Sequence, residues 1–346
     1  MELTIWRHFL FDTNIPLDVN WELNNICNLM CPQCVRNEIK DGKLQHKIPH
    51  LNKTDTTLMT FKVAFNNIKH PVRVVRFSGN VSEPTASKDF LDICWWLRGE
   101  NISIHVDTNG STRNTEWWGD LGKIFADDKR SMVFFSLDGV GNKSLQQYRV
   151  GADFYKIIDN ARAFIDTGGK AMWRMIKFKH NEHQIERARE ISKEMGFYQF
   201  IEVESNRQYN MGEHWTYRGK KGFLEPTGIK KGRWKKPDKY IITCRYQERN
   251  IFYVDYLKRV WPCCYIPNKP KNGKEQDWYK KYLMERNTNS LVTSTFDTIL
   301  QNEFYEQLQS SWGDDSCLTD CNKFCSQVGR VRLSTWDASD LQEKFT

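Results

Sequence analysis

Over its first 205 residues the sequence alternates short β-rich runs with longer helical ones, the pattern of a parallel β/α fold. Strands are expected at Val19 to Leu23, Val72 to Phe77, Ile102 to Val106, Met132 to Leu137, Ala171 to Ile176 and Phe200 to Val203. Between the fourth and fifth, Phe154, Ile157, Ile158, Ala161, Phe164 and Ile165 recur on one helical face, and Asp153 stands where a cap belongs. A further helix is expected from Gln184 to Met195, ended by Gly196. Six such units fit a partial (β/α)6 TIM-like barrel better than a flat sheet. In β/α folds the ligand sits where the C-terminal ends of the strands and their loops converge. Polar motifs fall at those positions: Cys27 to Cys34 after the first strand, Ser78 to Pro84 after the second, and Thr108, Asn109 and Gly110 after the third. Ser136 and Asp138 close the fourth, Lys177 to Asn181 follow the fifth, and Glu204 ends the sixth.

With 346 residues the chain has room for two domains, and 39% hydrophobic against 27% charged residues excludes a disordered or fibrous class. No internal repeat, long apolar run or secretory signal is visible, so a soluble, cytoplasmic protein without membrane attachment is expected. A reducing cytosol turns clustered thiols toward metal or redox chemistry. Of the ten cysteines, three lie near the N-terminus and six in the last third, which leaves Cys94 alone in an apolar stretch as a small buried hydrophobe. The formal charge of +8 does not by itself imply nucleic acid. The run from Arg218 to Lys239, rich in Lys, Gly and Pro, reads as an exposed connection or, alternatively, a binding surface.

The segment Cys27-Asn-Leu-Met-Cys31-Pro-Gln-Cys34 has C-x3-C-x2-C spacing, three thiolates on one short loop. Such soft ligands suit iron-sulfur centres and zinc. Structural zinc wants four ligands, and no second pair or histidine lies nearby in sequence. Three cysteines on a four-iron cluster would leave one iron open to a substrate or cofactor.

This segment resembles the signature of the radical S-adenosylmethionine (SAM) superfamily. Ser78-Gly79-Asn80-Val81-Ser82-Glu83-Pro84 is similar to that family's Gly-Gly-Glu-Pro loop, whose backbone holds the SAM amino group, and Thr108-Asn109-Gly110 to its Thr-Asn-Gly. Ser136-Leu137-Asp138-Gly139 with Tyr148-Arg149 resembles the elements that border the SAM ribose and carboxylate. The resemblance thus implies Cys27, Cys31 and Cys34 as cluster ligands and catalytic centre, and Ser78, Gly79, Asn80, Glu83, Thr108, Asn109, Ser136, Asp138 and Arg149 as cofactor-binding residues. Two departures stand out. Gln33 occupies a position where many members carry an aromatic residue beside the adenine, and the Ser78 to Pro84 loop has one glycine where two are usual.

Cys244, Cys263 and Cys264, then Cys317, Cys321 and Cys325, come after the basic run, with a β-like stretch from Ile251 to Asp255 and a helix through Phe304 and Leu308 between them. Their order resembles the SPASM and twitch extensions of radical SAM enzymes, small α+β domains that hold auxiliary 4Fe-4S clusters. Six thiols suffice for one fully ligated cluster. The resemblance implies Cys244 and Cys263 as ligands, joined by two of Cys317, Cys321 and Cys325, with Cys264 a packed neighbour; a zinc knuckle is the alternative. The expected organisation is a radical SAM barrel over 1–210 with an extension over 1–18, a basic linker over 211–240, the auxiliary domain over 241–330 and a tail over 331–346.

The family's chemistry is reductive cleavage of SAM to a 5′-deoxyadenosyl radical that removes a hydrogen from the substrate, with the electron supplied by a donor such as flavodoxin or ferredoxin. A fully ligated auxiliary cluster favours oxidation. Glu202 and Glu204 are candidates for touching substrate or for a structural ion pair, and Trp173, Arg174 and Lys177 for lining the adenine side. His180 and His183 read as exposed residues of a helix N-terminal turn rather than metal ligands. SPASM and twitch relatives often modify peptide or protein side chains, the leading expectation, although too few residues precede Cys27 for a peptide-recognition domain. Modification of a small metabolite, sugar, nucleotide or nucleic-acid base is the alternative, with lysines to neutralise phosphates. A non-catalytic iron-sulfur electron carrier is a third reading.

Overall fold

The computed structural model describes residues 11–47, 53–204, 212–225, 242–267, 276–284, 288–313 and 315–326. Its strands are β1 (Leu17–Trp21), β2 (Asn37–Lys40), β3 (Lys43–His46), β4 (Val72–Phe77), β5 (Ser103–Thr108), β6 (Met132–Ser136), β7 (Ala171–Lys177), β8 (Gln199–Glu204), β9 (His214–Tyr217), β10 (Lys220–Phe223), β11 (Ile251–Val254) and β12 (Val260–Trp261). The six strands read from the sequence correspond to β1, β4, β5, β6, β7 and β8. The chain divides into two compact units, one of residues 24–55 and 77–225, the other of 11–23, 56–76 and 242–326 as far as these are described. Compactness therefore cuts across the sequence ranges 1–210 and 241–330.

In the first unit β5, β6, β7 and β8 lie side by side in that order, all parallel, with His105 opposite Met132, Ser136 opposite Arg174 and Lys177 opposite Glu204. Nearly every residue of β5, β6 and β7 is buried, as strands covered on both faces must be. The crossover helix spans Phe154–Asp166 and turns Phe154, Ile157, Asn160, Ala161 and Phe164 inward, while Ile158 and Ile165 sit at its half-buried margin. The Asp153 side chain accepts from the Tyr155 amide and caps it. The helix before β8 runs Ile185–Glu194, preceded by a 3-10 turn at Glu182–Gln184, and Gly196 follows it.

A second, four-stranded sheet in the same unit has the order β10, β9, β3, β2. The sequence range 211–240 is thus only partly a connection: β9 and β10 pair as an antiparallel hairpin, with Lys220 opposite Tyr217, while 226–241 lie outside the described residues. In β9 the burial alternates, so Trp215 turns in between exposed His214 and Thr216. Trp215 packs with Met30, Leu44 and Val150, and with Ile39 and Tyr217 at the margin, so this sheet backs the loop carrying Cys27, Cys31 and Cys34.

In the second unit the strand order is β12, β11, β1, β4. β11, read as part of a C-terminal domain, runs parallel to β1 with Asp18 opposite Ile251 and Trp21 opposite Val254. Trp21 packs on Phe61 and Phe65 of the Leu58–Asn66 helix, and Phe11, Phe252 and Phe296 form a second aromatic group. No described helix is long and apolar enough to cross a membrane. The tail 331–346 lies outside the described residues.

Candidate metal centre

The loop from Asn24 to Arg36 has almost no regular structure, so its shape is set by side chains that replace a backbone ladder. The Asn24 amide donates to the Glu83 carbonyl at 3.2 Å, and its oxygen accepts from Ile26 N at 2.7 Å. Arg36 donates to the carbonyls of Asn25 and Val81, and the Asn37 amide donates to the Cys31 carbonyl at 2.9 Å. Backbone bonds from Met30 to Val150 and from Glu83 to Ile26 tie the same loop to its neighbours. None of Asn24, Arg36 and Asn37 was singled out from sequence. A run of Asn residues around a cysteine motif was the one available signal, because Asn serves irregular backbone.

Within this frame Cys31 is buried and Cys27 and Cys34 are half-buried. Burial pushes the Cys27 thiol up to about 12, helped by the negative charges of Glu83, Cys31 and Cys34. Burial likewise pushes Cys31 up to about 11, while Arg149 opposes the rise by its charge and by a hydrogen bond to the sulfur. The three sulfurs therefore feel one another. Three soft donors on one loop, with no His or carboxylate among residues 27–34, fit an iron-sulfur group. Among the described residues no three His, Cys, Asp or Glu side chains are drawn around a single point as ligands of one metal ion. A cubane takes one thiolate at each of separate irons and does not need such convergence.

Glu83 is 3% exposed, and its carboxylate accepts from Thr85 N at 3.3 Å, Thr85 Oγ1 at 2.8 Å, Thr108 Oγ1 at 2.6 Å and Asn109 N at 2.7 Å. Burial raises its pKa, and those four donors pull against the rise. Glu83 thus joins the loop after β4 to the end of β5. Thr108 and Asn109 fall in the same network, and the Asn109 side-chain amide reaches Cys27 Sγ at 3.8 Å. Asn160, which sequence reading placed on no site, turns into the core from the Phe154–Asp166 helix and donates to the Gly110 carbonyl at 2.9 Å. Gly110 has φ +69°, and a Cβ there would stand 2.8 Å from both Ile157 Cγ2 and Phe135 Cδ1. Gly110→Ala should therefore cost about 2–4 kcal/mol through left-handed strain plus overpacking, read as a lower urea midpoint at unchanged slope.

Asp138 is fully buried; one oxygen accepts from Ile176 N at 2.6 Å and the other from Arg149 Nε at 2.6 Å. Arg149, held well above its ordinary range mainly by the Asp138 and Cys31 charges against burial, bridges this carboxylate to the Cys31 sulfur. Ser78 and Asn80 are half-buried and Gly79 exposed on the loop after β4. That loop folds so tightly that a Cβ on Gly79 would strike Ser82 Oγ at 2.1 Å. Ser136 sits half-buried at the end of β6. Gln33 is fully buried.

Of the two readings of Glu202 and Glu204, the ion pair is the one present: Lys177 Nζ lies 2.9 Å from Glu202 and 2.5 Å from Glu204 at adjacent strand ends. The residues expected to line the adenine side need correcting. Trp173 is a core residue: it is fully buried, donates to the Leu137 carbonyl at 2.9 Å and packs on Phe154, Phe197 and Phe200. Arg174 is 3% exposed, pairs with Asp107 at 2.5 Å and lies over the Phe134 ring. His183 is exposed, but His180 is half-buried and stacked on Phe178, and burial pushes it down to about 4.

In the other unit, the Thr319–Cys325 helix sets Cys321 and Cys325 four residues apart on one face. Cys244 hydrogen-bonds Cys325, Cys263 feels the charges of Cys264, Cys321 and Cys325, and Cys321 those of Cys317 and Cys325, so the six sulfurs form one connected group. A bridge between Ile242 and Ser326 and a bond from Thr243 N to the Cys325 carbonyl align the two segments. Cys264 also accepts from the Tyr246 hydroxyl at 3.1 Å, and Cys317 Sγ faces the Leu318 carbonyl at 3.7 Å. Cys94 is fully buried in the Phe90–Gly99 helix.

No protein-family model and no curated protein matches the sequence. Solved structures do match in fold. SuiB of Streptococcus suis superposes with a TM-score of 0.55 at 16% identity, covering 86% of this chain and 69% of SuiB. SuiB bound to the precursor peptide SuiA gives 0.55 at 15% identity over 86% of this chain and 68% of that one. Native anSMEcpe with bound AdoMet and the Cp18Cys peptide gives 0.51 at 16% identity, covering 84% of this chain and 82% of anSMEcpe. At such identities the likeness is one of fold.

Proposed function

We propose that this chain, which has the fold of radical SAM enzymes, is itself one, with Cys27, Cys31 and Cys34 holding a 4Fe-4S cluster whose fourth iron takes SAM. The observation that carries this reading is the convergence on one cysteine loop of the segments that follow β4, β5 and β6, through Glu83, Asn109 and Arg149. When bound, the cluster supplies one electron to SAM, whose cleavage yields methionine and a hydrogen-abstracting 5′-deoxyadenosyl group. This chain's residues hold, orient and exclude water. Glu83 and Asp138 act by fixing loops, since their oxygens are already taken; Ser78, Gly79, Asn80 and Ser136 stand half-buried or exposed at the strand ends, where the cofactor would meet them.

Cys244, Cys263, Cys321 and Cys325 are proposed as ligands of an auxiliary cluster, which would accept the one electron that the substrate radical gives up as it becomes the oxidised product. A peptide or protein side chain is the proposed substrate, supported by the peptide complexes of SuiB and anSMEcpe on the same fold. The test is anaerobic reconstitution followed by iron and sulfide counts, where about eight irons per chain mean two cubanes and about four mean one. The dithionite-reduced protein is then given SAM, and 5′-deoxyadenosine and methionine are measured by mass spectrometry. A loaded, reduced sample that makes neither overturns the proposal.

A further inference from the structure

Asn109 is specified more completely than a loop residue needs to be. Its backbone N–H donates to Glu83 at 2.7 Å, and its side-chain oxygen accepts from both the N–H and the hydroxyl of Ser111, at 2.9 and 2.7 Å. A backbone N–H can only donate, so the amide cannot be flipped, and its nitrogen must point the other way. There it donates to Asn28 Oδ1 at 3.0 Å and to Cys27 Sγ at 3.8 Å, and Asn28 in turn donates to Ser111 Oγ at 2.9 Å. The ring Asn109, Asn28, Ser111 closes on itself with one N–H left for the sulfur. Asn109 is 5% exposed, so water does not compete for that donor.

We infer that Asn109 tunes the cluster through Cys27: its side-chain N–H hydrogen-bonds that sulfur in the loaded protein and raises the potential at which the cluster accepts its electron. This rests on the cluster assignment proposed above. Adding an electron increases negative charge on the sulfurs, so a donor aimed at one of them stabilises the reduced form more than the oxidised form. Asn109 is a positioning residue in this role, acting through Cys27 rather than on substrate.

The experiment is a redox titration of the reconstituted protein, followed by the electron paramagnetic resonance signal of the reduced cluster. Asn109→Ser keeps an acceptor for the Ser111 amide, so the turn can persist, but its side chain is too short to reach Cys27. It is expected to reduce the equilibrium constant for reduction roughly tenfold, which is about 59 mV lower for one electron, at full iron content. Asn28→Ala leaves the donor aimed by Ser111 and should stay within about twofold of wild type. An unchanged potential in iron-loaded Asn109→Ser, or an equal shift in Asn28→Ala, overturns the inference. If Asn109→Ser takes up no iron, wild-type protein carrying 15N in its asparagine side chains is read by pulsed resonance. Coupling from an amide nitrogen to the reduced cluster supports the inference, and its absence overturns it. Wild-type protein with no four-iron cluster would instead sink the assignment on which it rests.

Discussion

Cys31→Ala is expected to yield a folded protein that binds no SAM-cleaving cluster and forms no 5′-deoxyadenosine above background. The backbone at Cys31 is held without the sulfur, by the Asn37 amide on its carbonyl and the Met30 amide on Val150. Losing one buried thiol should therefore cost only about 1 kcal/mol of stability. The chemistry loses much more, because one iron would lose its protein ligand and Arg149 would face Asp138 alone. Cys94→Ala is the control. That cysteine is also buried, in a helix, and the substitution should cost a similar amount while keeping the iron count and product formation. Equal product loss in both variants would mean that activity follows general stability rather than the cysteine loop.

Glu83→Ala is expected to be strongly destabilising. It orphans the buried amides of Thr85 and Asn109, each worth about 1–3 kcal/mol when unsatisfied, besides two threonine hydroxyls. A total near 3 kcal/mol or more should lower the midpoint of thermal unfolding by about 6–12 °C for a unit of this size. Because Glu83 also sets where Asn109 meets Cys27, iron retained per folded chain should fall too. A variant with wild-type thermal midpoint and full iron would show that the four donors find other partners and that Glu83 does not hold the loops together.

Much of this was legible in the residues. Strand positions followed from runs such as Met132 to Leu137, and the Phe154–Asp166 helix from its apolar face, because both depend on periodicity within a dozen residues. The hairpin of β9 and β10 was obscured by the Lys, Gly and Pro around it; the sequence His-Trp-Thr-Tyr was its local signal, and its reason lies in Leu44, Met30 and Val150, far off in the chain. For Glu202 and Glu204 the sequence leaves substrate contact and a structural ion pair both open, and Lys177, one strand away, decides for the ion pair.

By itself the sequence determined the class and gathered three thiols: alternating runs demand a parallel β/α arrangement, and C-x3-C-x2-C places Cys27, Cys31 and Cys34 on one short loop whatever surrounds it. Only the tertiary structure decided that Glu83 and Asp138 are anchors, that Asn109 faces Cys27, that Arg149 bridges Asp138 to Cys31, and that β11 pairs with β1. The physical reason is range. Spacing along the chain sets local geometry, whereas a buried polar group takes whichever partner the packing brings within hydrogen-bond distance, and that partner can lie anywhere in the chain.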